Sequence, residues 1–137
     1  MPARVGRLKQ RSQFLRVAAA RKKWVTPGLI LQTREQAVAH APTNLLSTPV
    51  SDLRVGFTAS KKVGNSVARN RARRRLKAAV QTLFSQHAKS DMDYVLIGRQ
   101  GTLGRPWDRL VRDLKQAMVK LDVWQDEAQE QLQDQTS

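Results

Sequence analysis

Cysteine is absent from this 137-residue chain. That excludes disulfides, thiolate nucleophiles and cysteine-ligated zinc in one step, and it suits a reducing cytoplasm. Histidine is scarce. His40 and His87 stand far apart, so a histidine-based metal or catalytic cluster would have to recruit scattered carboxylates. No apolar window approaches the roughly 18 residues of a membrane span, and no membrane association is expected. The opening MPARVGRLKQRSQF is basic with no apolar stretch behind it, so a secretory signal is not expected either. Acids are few: 11 Asp and Glu stand against 25 Lys and Arg, for a net charge of +14. Charge this far from neutral says nothing about fold but points to a polyanionic partner. A hydrophobic share of 40% argues against a wholly disordered basic tail. The length is that of one domain with a modest core.

The charge is unevenly spread. Arg4 to Lys23 holds eight basic residues and no acid, and so does Lys61 to Lys77. Residues 122–137 hold five acids and no base, and read as an acidic, Gln-rich tail outside a body of residues 1–121.

Within that body, Ser12 is placed to cap a short helix through about Ala20. Thr26-Pro27-Gly28 reads as a turn and Leu29–Thr33 as a strand. Residues 34–50, with Pro42 and Pro49, read as an inserted, exposed connection. Leu53–Ser60 is the clearest strand. Val55, Phe57 and Ala59 point one way, and Arg54, Gly56, Thr58 and Ser60 the other. A long helix follows over about Val67 to His87, with Asn65 or Ser66 as N-cap and a stripe of Ala72, Leu76, Ala79, Val80 and Leu83. Asp93–Gly98 reads as a buried strand and Gly101–Pro106 as a loop. A last helix runs from Trp107 to Trp124 with Leu110, Leu114, Ala117, Met118 and Leu121 on one face. This order predicts a single α+β sandwich with a small sheet.

The chemistry is concentrated in Arg54 to Val80, RVGFTASKKVGNSVARNRARRRLKAAV. The strand's polar face is small, so it either accepts close approach of another backbone or simply faces solvent. At 100° per residue Arg69 lies roughly 20° from Leu76 on the helix, and Arg73 roughly 60° from it. The core stripe therefore turns basic toward the helix N-terminus, which is expected where a stripe leaves the core for a cleft that holds a polyanion. Arg71 and Arg74 point to the opposite side. Arginine's planar fork suits phosphate oxygens and folded RNA. The cluster contains no aromatic residue, which argues against base-by-base reading on an aromatic platform. Gly64-Asn65-Ser66 lacks the spacing of a P-loop.

SKKVGNSVARNRARRRLKAAV resembles the arginine-asparagine-arginine signature of the bacterial ribonuclease P protein subunit. RLKQRSQFLRV, LRVGFTAS and DYVLIGR resemble the family's flanking segments, and the similarity spans about Arg7 to Leu121. The resemblance implies an αβββαβα fold with a small mixed sheet, a left-handed βαβ crossover and a short strand near Lys23–Val25. It implies the small basic subunit of an endoribonuclease, in which a catalytic RNA with Mg2+ removes the 5′ leader of precursor tRNA. The protein alone is then inactive, binds no cofactor of its own, needs no other protein partner and works in the cytoplasm. The residues implied to contact RNA are Lys61, Lys62, Asn65, Arg69, Asn70, Arg71, Arg73, Arg74 and Arg75. Those implied for the leader cleft, between the sheet and the first helix, are Phe14, Gln32, Gly56, Thr58 and Ser60. Where the family often has further aromatics, this chain has Ala18 and Gln32, which shifts the expected grip on the leader from stacking to hydrogen bonds and phosphate contacts.

Two other classes compete. A ribosomal protein or RNA chaperone would share the charge. A protein-only nuclease would need clustered carboxylates for two metals. Asp91 and Asp93, at i and i+2, read as a solvated turn or as neighbours of a metal bound by RNA.

Overall fold

The alternation that begins at Leu53 becomes strand β4 (Leu53–Ala59) of a five-stranded mixed sheet in the computed structural model, which describes residues 4–36 and 53–126. The apolar run near the C-terminal end becomes the central strand β5 (Met92–Gly98). A strand covered on both faces needs such a run. It pairs in parallel with β4 and antiparallel with β3 (Leu29–Glu35). β1 (Val5–Arg7) closes one edge parallel to β4, and β2 (Lys22–Val25) the other, antiparallel to β3. The order across the sheet is β1-β4-β5-β3-β2.

Helix α1 (Arg11–Ala19) lies over β3 and β5. On the opposite face, α2 (Ser66–His87) covers β4 and β5, and α4 (Trp107–Lys120) covers β3 and β2. A short α3 (Gln100–Gly104) precedes α4. The main core lies under α2 and α4. Leu76, Val80 and Phe84 of α2 and Leu110, Leu114 and Met118 of α4 meet Leu31, Val55, Tyr94 and Leu96 from the sheet. A smaller cluster of Leu8, Val17 and Val95 lies under α1, with Phe14 and Ile97 at its edge. Burial pushes the Tyr94 hydroxyl up, so it stays protonated and donates to the Lys89 carbonyl at 2.6 Å.

Several elements differ from the sequence expectation, each for a local reason. α1 starts at Arg11 rather than after Ser12, because Gln13 Oε1 accepts the Lys9 and Gln10 amides at 2.8 and 2.9 Å. β1 was not expected, since three residues are too few to show a period. β3 runs through Glu35, two residues into the expected insertion; residues 37–50 lie outside the described set. α3 replaces part of the expected 101–106 loop. Phe84, absent from the expected stripe, is fully buried, whereas Leu83 is only half-buried.

The last helix stops at Lys120, not Trp124. Asp122 takes the left-handed conformation (φ 62°), the Val123 amide donates back to Met118 at 2.9 Å, and the Asp122 amide to Val119 at 3.1 Å. That is a Schellman stop. It folds Val123 into the core and lays Trp124 flat on His87, with centroids 4.2 Å apart. The packed body thus includes residues that the sequence assigns to the acidic tail; residues 127–137 are outside the described set.

A buried polar network holds the β2–β3 turn against α3 and α4. Asp113, 4% exposed, accepts the Gly28 amide at 3.1 Å and both arms of Arg105 at 2.9 and 3.1 Å. Thr102 Oγ1 donates to the Gly28 carbonyl at 2.6 Å and accepts the Arg99 amide at 2.8 Å. The platform under α4 is therefore fixed by directional bonds as well as by apolar packing.

Candidate nucleic-acid interface

The basic helix is launched by the end of β4. Ser60 leads into a single 3-10 turn (Lys61–Val63), which buries Val63 and leaves Lys61 and Lys62 exposed. Gly64 follows at φ 139°, a conformation L side chains rarely adopt. Asn65 is the N-cap: its side-chain oxygen accepts the Ala68 amide at 2.9 Å. Of the two candidate caps, Asn65 does the work.

Beyond the cap, α2 presents three faces. Ala72, Leu76, Ala79 and Val80 face the core. Asn70, Arg73, Arg74 and Lys77, spaced i, i+3, i+4 and i+7, line a cavity of about 370 Å³ beside β1, together with Arg7 and Phe57. The Arg7 guanidinium lies over the Phe57 ring, 5.3 Å from its centroid. Arg71, Arg74, Arg75 and Ala78 line a second hollow of about 440 Å³ with Trp107 of α4.

The arginines of this helix differ in freedom. Arg75 is spoken for by the fold. Its guanidinium donates to the carbonyls of Thr102, Leu103 (3.0 Å) and Arg105 (2.6 Å), tying α2 to the α3–α4 junction. Arg75, implied as an RNA contact, thus also serves the fold as a brace, and it still lines the second hollow. Arg73 donates to Asn70 Oδ1, which orients both within the first cavity. Arg69 is half-buried and lines none of these cavities. None of Arg7, Lys61, Lys62, Arg69, Arg71, Arg73, Arg74 or Lys77 has a carboxylate partner among the described residues. Of the two arginines that periodicity places nearest the stripe, Arg73 lines the cavity beside β1 and Arg69 does not.

The opposite face of the sheet carries the other candidate residues. Phe14 lies on Gly56: a Cβ built there would come 2.4 Å from its ring. The small strand face thus admits an aromatic ring, not another backbone, and Gly56 is sealed rather than open to a ligand. Gln32 and Thr58 share this face through their pairing with Val95 and Ile97. At its end a cavity of about 530 Å³ is lined by Ser60, Lys62, Ile30, Ile97, Arg99 and Gln100, among others. Of the nine residues implied for RNA contact, Asn70, Arg71, Arg73, Arg74 and Arg75 line the hollows along α2, whereas Lys62 joins Ser60 in the cavity at the end of the cleft face.

The acids of the described residues are separately placed. Asp93 is 1% exposed and is held by Arg54 at 2.8 Å and by the Gln36 amide at 3.1 Å. It is not a solvated turn residue. Asp91 is exposed in the left-handed conformation. Among the described residues no group of three or more His, Asp or Glu is placed to hold a metal ion.

This arrangement coincides with a known family: a model of the ribonuclease P family matches residues 2–122. The chain belongs to the ribonuclease P protein family. It is 53% identical over 125 residues to the ribonuclease P protein component of Paramagnetospirillum magneticum, covering 91% of this chain and 89% of the relative. It is 44% identical over 124 residues to that of Gluconacetobacter diazotrophicus, covering 90% and 97%. The fold matches the ribonuclease P protein of Staphylococcus aureus with a TM-score of 0.66 at 19% identity, over 87% of this chain and 97% of the other.

Four polar residues and one aromatic of this ribonuclease P protein escaped sequence reasoning: Arg7, Lys77, Arg99, Gln100 and Trp107. For Lys77 a signal existed, since it completes the i, i+3, i+4, i+7 set with Asn70, Arg73 and Arg74. The others are brought to the site from separate elements, and no local pattern marks them.

Proposed function

We propose that this chain is the RNA-binding subunit of ribonuclease P: it docks on the catalytic RNA and grips the 5′ leader of precursor tRNA while the RNA cuts the phosphodiester bond. The observation that carries this reading is the row of guanidinium and ammonium groups along Arg7, Arg73, Arg74 and Lys77, which have no carboxylate partner among the described residues. Such a row neutralises consecutive phosphates, and arginine's fork adds directional bonds to their oxygens. The leader is assigned to the other side of the sheet. Lys62 and Arg99 there supply charge, Ser60 and Gln100 supply hydrogen bonds, and Ile30 and Ile97 give an apolar floor. Gln32 and Thr58 continue that floor, and Phe14 supports it from α1. Both docking sides draw on β4, the turn after it and α2, so one protein can hold both RNAs in a fixed relation.

The chain supplies no nucleophile or general base in this reading. The two buried carboxylates among the described residues, Asp93 and Asp113, are each held by an arginine. The magnesium ions are assigned to the RNA, and no step is routed through a protein-held metal.

Reconstitution tests this reading. Added to its ribonuclease P RNA at low magnesium, the protein is expected to restore mature tRNA 5′ ends, while the protein alone releases none. A general RNA chaperone would not restore leader cleavage specifically. Affinity for the RNA is expected to fall about a thousandfold between about 50 and about 200 mM salt, as for proteins that neutralise six or more phosphates. A flat salt response would remove the basic helix as the docking element.

A further inference from the structure

Trp107 is the first residue of α4 and is 44% exposed. In sequence it stands 32 residues after Arg75, apart from the arginine cluster. The fold brings it back. The Arg75 guanidinium binds the carbonyls of Thr102, Leu103 and Arg105, the last only two residues before Trp107. Pro106 then starts the helix, its carbonyl accepting the Leu110 amide at 2.9 Å, and Leu110 is fully buried. The indole is therefore carried by a rigid helix start that is tied to α2. With Trp107, the hollow of about 440 Å³ is lined by Arg71, Arg74 and Arg75, and by the small side chain of Ala78 one turn beyond Arg74.

We propose that Trp107, Arg71 and Arg74 form a stacking site for one unpaired nucleotide of the RNA. The base lies on the indole face and the neighbouring phosphate meets the two guanidinium groups. This rests on the RNA-binding reading above and adds to it a base contact that the arginine cluster alone does not supply. Every base has a π-face, so the site selects an unstacked nucleotide rather than a sequence. A buried duplex base could not reach it, which directs the site to a loop, bulge or single strand.

The test compares Trp107→Phe and Trp107→Leu with the wild type in binding a transcript of the cognate ribonuclease P RNA, with and without precursor tRNA. Both variants keep an apolar side chain, so folding is preserved and verified by thermal melting. Phe is expected to retain affinity, and Leu to lose on the order of tenfold, the effect of removing one stacked base. The salt slope is expected to stay unchanged in both, because no phosphate contact is removed. In Arg71→Ala the slope is expected to fall by about one. A loss with the catalytic RNA alone places the nucleotide there; a loss only in the presence of precursor tRNA places it on the substrate. If Leu binds like Phe in both settings, stacking is overturned. If that happens while alanine at Arg73 and Arg74 still weakens binding, the docking reading stands. If neither change weakens binding, both fall.

Discussion

Alanine at both Arg73 and Arg74 is expected to weaken binding of the ribonuclease P RNA on the order of a hundredfold. Each guanidinium is free to give a charged hydrogen bond, worth roughly 1.5–3 kcal/mol where the partner is a phosphate, and each 1.4 kcal/mol is about tenfold. The plot of affinity against salt should flatten by about two, one for each lost phosphate contact. Stability should hardly change. Arg74 is exposed, and Arg73 bonds only to the side chain of its neighbour Asn70, so neither variant opens the core. Arg75→Ala makes the contrast. Its three carbonyl partners would lose their donor, so the melting temperature should drop while the salt slope is largely retained. Filter binding across a salt series, with thermal melts of the same proteins, separates the two outcomes. Normal RNA binding by the Arg73/Arg74 double variant would sink the docking assignment.

The largest loss of stability is expected from Asp113→Ala. The carboxylate is buried, accepts one backbone amide of the β2–β3 turn and holds Arg105 by two bonds. Removing it strands the Gly28 amide and a cation whose side chain is only 25% exposed. Breaking a buried pair from one side costs about 3 kcal/mol or more. For a domain of this size that lowers the melting temperature by roughly 10 °C. Asp113→Asn should recover part of the loss by keeping an acceptor for Gly28. Denaturant unfolding of the three proteins measures both effects. An alanine variant as stable as the wild type would show that the turn is held by packing alone.

Much of this molecule could be read before its structure. The alternation of Val55, Gly56, Phe57 and Thr58 places two opposite faces correctly, because side-chain direction in a strand has a strict period of two. The stripe of Ala72, Leu76, Ala79 and Val80 identifies the buried side of α2 for the same kind of reason, while for the N-cap the sequence offers both Asn65 and Ser66 and the structure selects Asn65. The polar sandwich partners were less legible. Asp113 sits on the same helix as Leu110 and Leu114 and looks like an ordinary surface acid, yet it is buried, since its partner amide comes from residue 28. Val123 and Trp124 look like the start of an acidic tail, but a left-handed Asp122 turns them inward.

The arginine helix shows the same division. Its density of positive charge, its lack of neighbouring acids and the ordered SKKVGNSVARNRARRR run are properties of consecutive residues, and they suffice to name a polyanion partner and a family. Which guanidinium is free and which is occupied depends on groups about 30 residues away. Arg75 meets carbonyls of the α3–α4 junction, Arg73 lines the cavity beside β1, and Arg71 and Arg74 line a hollow with Trp107. Local periodicity is written along the chain because it arises from bond geometry within a few residues. Contacts between distant segments are set only when the sheet and its two helical layers pack, and it was that packing which tied Arg75 to carbonyls of the α3–α4 junction and brought Trp107 to the hollow lined by Arg71 and Arg74.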